Sequence, residues 1–285
     1  MKSNYLQQVT ILEILSTSLD HDGVDVLMGA ATALYSICTS SEWSDLKLLL
    51  PVSLRERLSP YCVKYKPDIR KFYDLPAFDL GVGVRSNIWE LVSDLPTWIR
   101  RLFQTLLEGP SVNDRVLMSC LPLSLISIPF AQRIFRFVFI KYLESLTPSK
   151  AAEEAQKVNV ALGHAEGNLS AARLILAALG VIRNLKQASV QTFFQGVDFL
   201  QASRAARLCN LPTLSLFMLE LYIEKTYLSL SGVLSLDFLR ENPEEARSLR
   251  EVAEFCLSNV SDPDSFYGIE LDPHDPRYCV LSSIT

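Results

Sequence analysis

Histidine is scarce: the chain has three in 285 residues, His21, His164 and His274, scattered and with no pair at helical spacing. No Cys-x-x-Cys occurs. Without those spacings the usual zinc ligand sets are missing, and no metal is expected. No Gly-x-Ser-x-Gly turn is present either, and the many serines fall inside helical runs or at their caps, where a hydroxyl satisfies backbone groups. The run "GVGVRS" at 81–86 begins like a phosphate-cradling loop, but Ser86 stands in place of the third glycine and no strand pattern precedes it. It reads as the approach to the next helix. No catalytic residue and no cofactor is assigned to this chain.

A strong charge of one sign is also lacking. With 27 basic and 32 acidic residues the net charge is -5, which gives no global attraction to nucleic acid. Long hydrophobic runs are few. Val116 to Gln132 is uncharged but short of the roughly 20 residues a spanning helix needs, and it contains Pro122 and Pro129. Glu13 interrupts the apolar part of the amino terminus, which reads as an amphipathic helix rather than a secretion signal. No membrane association is expected. Six cysteines, at 38, 62, 120, 209, 256 and 279, stand far apart and mostly in apolar helical stretches, the pattern of core thiols rather than disulfides.

What is there is helix. Apolar residues make up 49% of the chain at a mean hydropathy of +0.19, enough for a sizeable core. Helical patterns cover 4–19, 23–38 and 41–50. Residues 59–85 carry three prolines and lose the period. Helices resume with "NIWELVSDL" and "TWIRRLFQTLLEG", and a run from 114 to 146 is expected to kink at its prolines. "TPSKAAEEAQKVNVALG" has Pro148 at its start and Gly163 at its stop. "NLSAARLILAALGVIRNLK" is apolar nearly all round and is expected to lie between neighbours.

The next pair is the most informative. "DFLQASRAARLC" places Ala202, Ala205 and Ala206 on one side, where small residues let a second backbone approach. "TLSLFMLELYIEKTYL" follows after "NLP" and puts Leu214, Phe217, Met218, Leu221 and Tyr222 on one predicted face. Helices joined by so short a turn are antiparallel neighbours. The expected fold class is therefore all-α, a HEAT/TPR-like α-solenoid of antiparallel helical hairpins.

"LQASRAARLCNLPTLSLFMLELYIEK", Leu200 to Lys225, followed by "DPDSFYGI", resembles the start of the FAT region of the phosphatidylinositol-3-kinase-related protein kinases, the ATM/Tel-type checkpoint kinases in particular. In that family an alanine-rich helix ends near a cysteine. A second helix ends in an acidic-aliphatic-tyrosine run, here Glu220, Leu221 and Tyr222, and an acidic-Pro-Asp motif closing on glycine follows. The match extends over about residues 115–270, with "LPLSLISIPF" and "ARLILAALGVIRNLK" similar to the preceding helices.

The helical patterns give expected repeats over 1–58 and 86–195, an irregular connector at 59–85 and an irregular tail at 271–285, and the resemblance implies a FAT-like start at 196–270. It implies a scaffold acting in DNA-damage signalling and telomere maintenance in the nucleus. Its partners would be the rest of the kinase, a dimer partner and DNA-end sensor proteins. After Ile269 the family continues into more helices and a kinase domain, whereas here "ELDPHDPRYCVLSSIT" follows, so a fragment or truncated product is expected. The catalytic signatures of that kinase, its DFG, its His-Arg-Asp loop and its Gly-rich loop with a strand lysine, are missing from these residues. A free-standing solenoid adaptor that binds a protein partner is the alternative.

The motif residues Asp262, Pro263, Asp264, Phe266, Tyr267 and Gly268 read as a joint. Upstream, Asn242 caps a helix that begins at Pro243 with Glu244 and Glu245 near its positive end. Asp262 then caps a new turn, Pro263 starts it, Asp264 suits its dipole, Gly268 ends it, and Phe266 with Tyr267 packs back on the hairpin. A calcium loop counted from Asp262 would need an oxygen ligand at Phe266, glycine at Tyr267 and glutamate at Pro273. Arg55, Arg57, Lys64, Lys66, Arg70 and Lys71 are interleaved with Tyr61, Tyr65, Phe72 and Tyr73, a mixture that could hold phosphates and stack bases. They read instead as a solvated connector, with no direct nucleic-acid contact expected.

The joint reading ranks two substitutions. Gly268→Val places a β-branched residue in left-handed backbone, where even an ordinary residue costs about 1–2 kcal/mol. Asp264→Asn removes a dipole interaction of about 0.3–1 kcal/mol. Chemical denaturation should find Gly268→Val the more destabilising, and the opposite order would give Asp264 a role outside the joint.

Overall fold

The computed structural model describes residues 2–62, 88–91, 94–108, 114–228 and 243–259. Among these residues every extended element is a helix, so the chain is all-α. Helices α1 (Lys2–Ser18), α2 (Val24–Cys38), α3 (Trp43–Leu49) and α4 (Val52–Leu58) lead into a 3-10 turn, Ser59–Cys62. There follow α5 (Leu95–Glu108), α6 (Arg115–Ile126), α7 (Ile128–Ser145) and α8 (Pro148–Gly163). After a short 3-10 turn come α9 (Leu169–Ile182), α10 (Ala188–Gly196), α11 (Phe199–Leu208) and α12 (Pro212–Ile223). A π-helical turn, Glu224–Leu228, extends α12, and α13 (Pro243–Asn259) is the last described helix. The described residues fall into two compact units. One holds those up to Ala161 together with Ala177–Gly196, the other Leu162–Leu176 and those from Val197 onward.

Three local expectations are corrected. Residues 88–91 of "NIWELVSDL" form a turn, and helix begins only at Leu95. The Asp94 carboxylate accepts the Thr97 N–H at 3.3 Å, and Pro96, which cannot sit inside a longer helix, lies in the first turn. The Thr97 side chain first, and this backbone hydrogen bond second, hold the Asp94 carboxyl below its ordinary range. The run 114–146 is two helices rather than one kinked one. Ser127 ends α6 and caps α7 by accepting from Phe130 N at 3.4 Å, so Pro129 is a start signal, while Pro122 lies inside α6. The third concerns α9. Leu169, Arg173, Ala177 and Val181, one turn apart, form an exposed stripe, so this helix is not enclosed on all sides.

The first unit packs on small side chains and an aromatic column. α2 lies against α6, with Gly29, Ala30 and Ala33 buried. Side chains this small allow a close backbone approach. On α7, Phe139 stacks on Phe135 with centroids 5.7 Å apart and meets Trp89 and Phe193 edge-on at 5.4 and 5.5 Å. Such geometry adds to what burial of the rings contributes. The turn holding Trp89 is fixed by its indole N–H, which donates to Glu154 Oε2 at 2.6 Å. Lys157 binds the other carboxylate oxygen at 2.6 Å, and Tyr142 lies beside the same group. Burial, then the neighbouring carboxylate, pushes Tyr142 up. Glu154 is thus a buried acid with a donor on each oxygen, the condition under which burial of a charge is tolerated. α10 ends against α8, where Asn159 Nδ2 donates to Gly196 O at 3.0 Å.

Phe139→Ala should remove the middle of this column and cost about 3–5 kcal/mol in urea denaturation. Met118→Ala, at a half-exposed position on α6, should stay within about 0.5 kcal/mol.

Candidate functional site

The second unit contains the hairpin singled out in the sequence. Asp198 caps α11, accepting from Gln201 N at 3.1 Å. At its other end Arg173 Nε and a terminal guanidinium nitrogen both donate to Cys209 O, at 3.0 and 2.7 Å, satisfying a carbonyl that the helix leaves open. Asn210 takes φ 56°, a left-handed conformation that asparagine accepts more readily than most residues. The chain therefore reverses within "NLP", and Pro212 starts α12.

Ala202, Ala205 and Ala206 are buried as expected, and α11 packs along α12. Two serines bond across the pair. Ser203 Oγ donates to Ser215 O at 2.7 Å, Ser215 Oγ donates to Ser203 O at 2.9 Å, and both residues are fully buried. This exchange, together with Leu200 clustering with Leu219, makes the pair antiparallel. The predicted core face of α12 is corrected: its buried residues are Ser215, Met218, Leu219 and Leu221, while Leu214, Phe217 and Tyr222 are half-buried. Apolar spacing alone passed over Ser215, because the polar letter gives no sign that its hydroxyl is spent on the facing helix.

α13 packs on both hairpin helices. Val252 and Cys256 join Leu200 and Leu219 in one core cluster. The Cys256 thiol is pushed up by burial and held back in part by a hydrogen bond with Ser215. Arg204 Nε donates to Ser248 Oγ at 2.7 Å, and Arg207 reaches Glu251 at 3.5 Å. The second pair is exposed enough to contribute no more than about 1 kcal/mol.

Beside this polar seam lies a cavity of about 400 Å³, open on one side, lined among others by Glu166, Gln201, Arg204, Arg207, Ser248 and Glu251. Gly163 closes one wall, where a side chain would collide with Gln201 Nε2. The lining offers guanidinium and amide donors and two carboxylate acceptors. Among the described residues no group of three or more His, Cys, Asp or Glu could hold a metal ion.

The motif residues Asp262, Pro263, Asp264, Phe266, Tyr267 and Gly268 lie outside the described residues, as do "GVGVRS", the tail, and Lys64, Lys66, Arg70 and Lys71 of the basic segment. Arg55 and Arg57 are placed, and both serve the fold. Arg57 donates to Ser16 O at 2.8 Å and pairs with Asp20 at 2.6 Å, while Arg55 donates to Leu50 O at 3.1 Å. The described helices include none long and apolar enough to cross a membrane. Four cysteines, Cys38, Cys120, Cys209 and Cys256, are buried free thiols as expected; Cys62 is half-buried. No protein-family model matches the chain, and no curated protein matches it.

The paired serines generate a specific expectation. Ser203→Ala and Ser215→Ala should each destabilise by about 0.5–1.5 kcal/mol, since each removes a buried hydrogen bond to the main chain of the facing helix. The double substitution should cost clearly less than the sum, because the two hydroxyls complete one exchange. A double-mutant cycle by chemical denaturation measures this.

Proposed function

We propose that this chain is a helical scaffold of HEAT/TPR-like hairpins, a segment of an ATM/Tel-type serine/threonine kinase that carries none of the catalytic residues itself. The observation that carries the reading is the α11–α12 hairpin with α13 packed on it: Leu200 to Lys225, the stretch that resembles the start of the FAT region, fold here as a close antiparallel pair. In this role the helices present surfaces to the rest of the kinase, to a dimer partner and to DNA-end sensor proteins in the nucleus. The chemistry of the parent protein, phosphoryl transfer to serine or threonine in DNA-damage and telomere signalling, lies elsewhere in that protein.

The cavity beside Arg204 and Arg207 favours a second reading, a free-standing solenoid adaptor that takes up a polar peptide segment. Sequencing the transcript past the Thr285 codon separates the two. In-frame continuation into further helices and a domain with a DFG motif is expected. A stop codon there, with no longer transcript from the locus, would overturn the kinase reading in favour of the adaptor.

A further inference from the structure

Two of the free thiols are neighbours. Cys38 is the last residue of α2 and Cys62 the last residue of the 3-10 turn Ser59–Cys62, and these two elements pack against each other. The two thiols lie close enough for Cys62 to act on the ionisation of Cys38, and Cys62 Sγ donates to Leu58 O at 3.5 Å, which holds it over the end of α4. Cys38 is buried and Cys62 half-buried. Cys62 is therefore the more exposed of the two residues.

We propose that Cys38 and Cys62 form a dithiol that a small-molecule disulfide, such as oxidised glutathione, converts into an intramolecular disulfide. Cys62, the more exposed residue, gives up its proton and attacks one sulfur of the reagent. The reagent's S–S bond breaks, one glutathione thiolate leaves and is protonated, and Cys62 carries a mixed disulfide. Cys38 then gives up its proton and attacks Cys62 Sγ. The mixed disulfide breaks and the second glutathione leaves as thiol. The two protein thiols lose two electrons and two protons, and the reagent gains both.

Burial disfavours the Cys38 thiolate, which makes it the second nucleophile rather than the first. In that step the reaction is within one molecule, and proximity compensates for the scarce thiolate. The new bond ties the end of α2 to the turn after α4 and closes a loop around α3 and α4.

The test uses the full chain with Cys279→Ser, so that the cysteine of the tail does not compete. After incubation with oxidised glutathione and alkylation, peptide mapping should recover a Cys38–Cys62 linked peptide that dithiothreitol reverses. Cys38→Ser should stall with glutathione on Cys62. In Cys62→Ser the loss of free Cys38 should slow by roughly tenfold or more, since the first attacking sulfur is gone. Circular dichroism checks that both variants remain folded, and the mapping of the Cys279→Ser chain stands without them. A stable glutathione adduct on Cys62 with Cys38 still alkylatable, or both thiols left free, would overturn the proposal.

Discussion

Close approach between helix backbones is the constraint on which both units depend. Helices as short as α10 and α11 cannot bury enough apolar area through long side chains alone, and most of their stability has to come from tertiary contact. The chain meets this with small buried residues, Gly29, Ala30 and Ala33 on α2 and Ala202, Ala205 and Ala206 on α11. Where two backbones come close, polar side chains can reach across to the opposite main chain. Ser203 and Ser215 use that opportunity, and their exchange orders the hairpin by direction as well as distance.

The larger side chains then fill the space that the small ones leave. In the first unit, Phe135 and Phe139 on α7 set the spacing for Trp89 and Phe193. The indole N–H of Trp89 would be costly to bury without an acceptor, and Glu154 supplies one. That carboxylate would in turn be costly without Lys157. One apolar decision propagates into connected polar ones. In the second unit Arg173 plays the corresponding part, with two donors on the carbonyl that ends α11.

A hairpin held by main-chain proximity leaves its outer side chains available, and the seam of Arg204, Arg207, Ser248 and Glu251 beside the cavity is the polar surface so presented. The paired thiols of Cys38 and Cys62 lie in the other unit, at the junction of α2 with the turn after α4. A covalent bond there acts on the packing of helices rather than on any reacting group.

By itself the sequence determined the helical character of the described residues, the starts at Pro148, Pro212 and Pro243, the stop at Gly163 and the alanine face of α11, because each rests on local spacing or on backbone chemistry that a residue carries with it. Tertiary structure decided the rest. The turn at 88–91 follows from the buried anchor between Trp89 and Glu154, residues 65 apart in sequence. The exposed stripe on α9 depends on which neighbours reach it, and a nearly all-apolar helix has no pattern to tell its faces apart. The core face of α12 turned on Ser215, whose burial is stable only because Ser203 faces it. Likewise, two cysteines 24 positions apart became a pair only when α2 and the turn after α4 packed together, a contact between elements distant in sequence that no local period encodes.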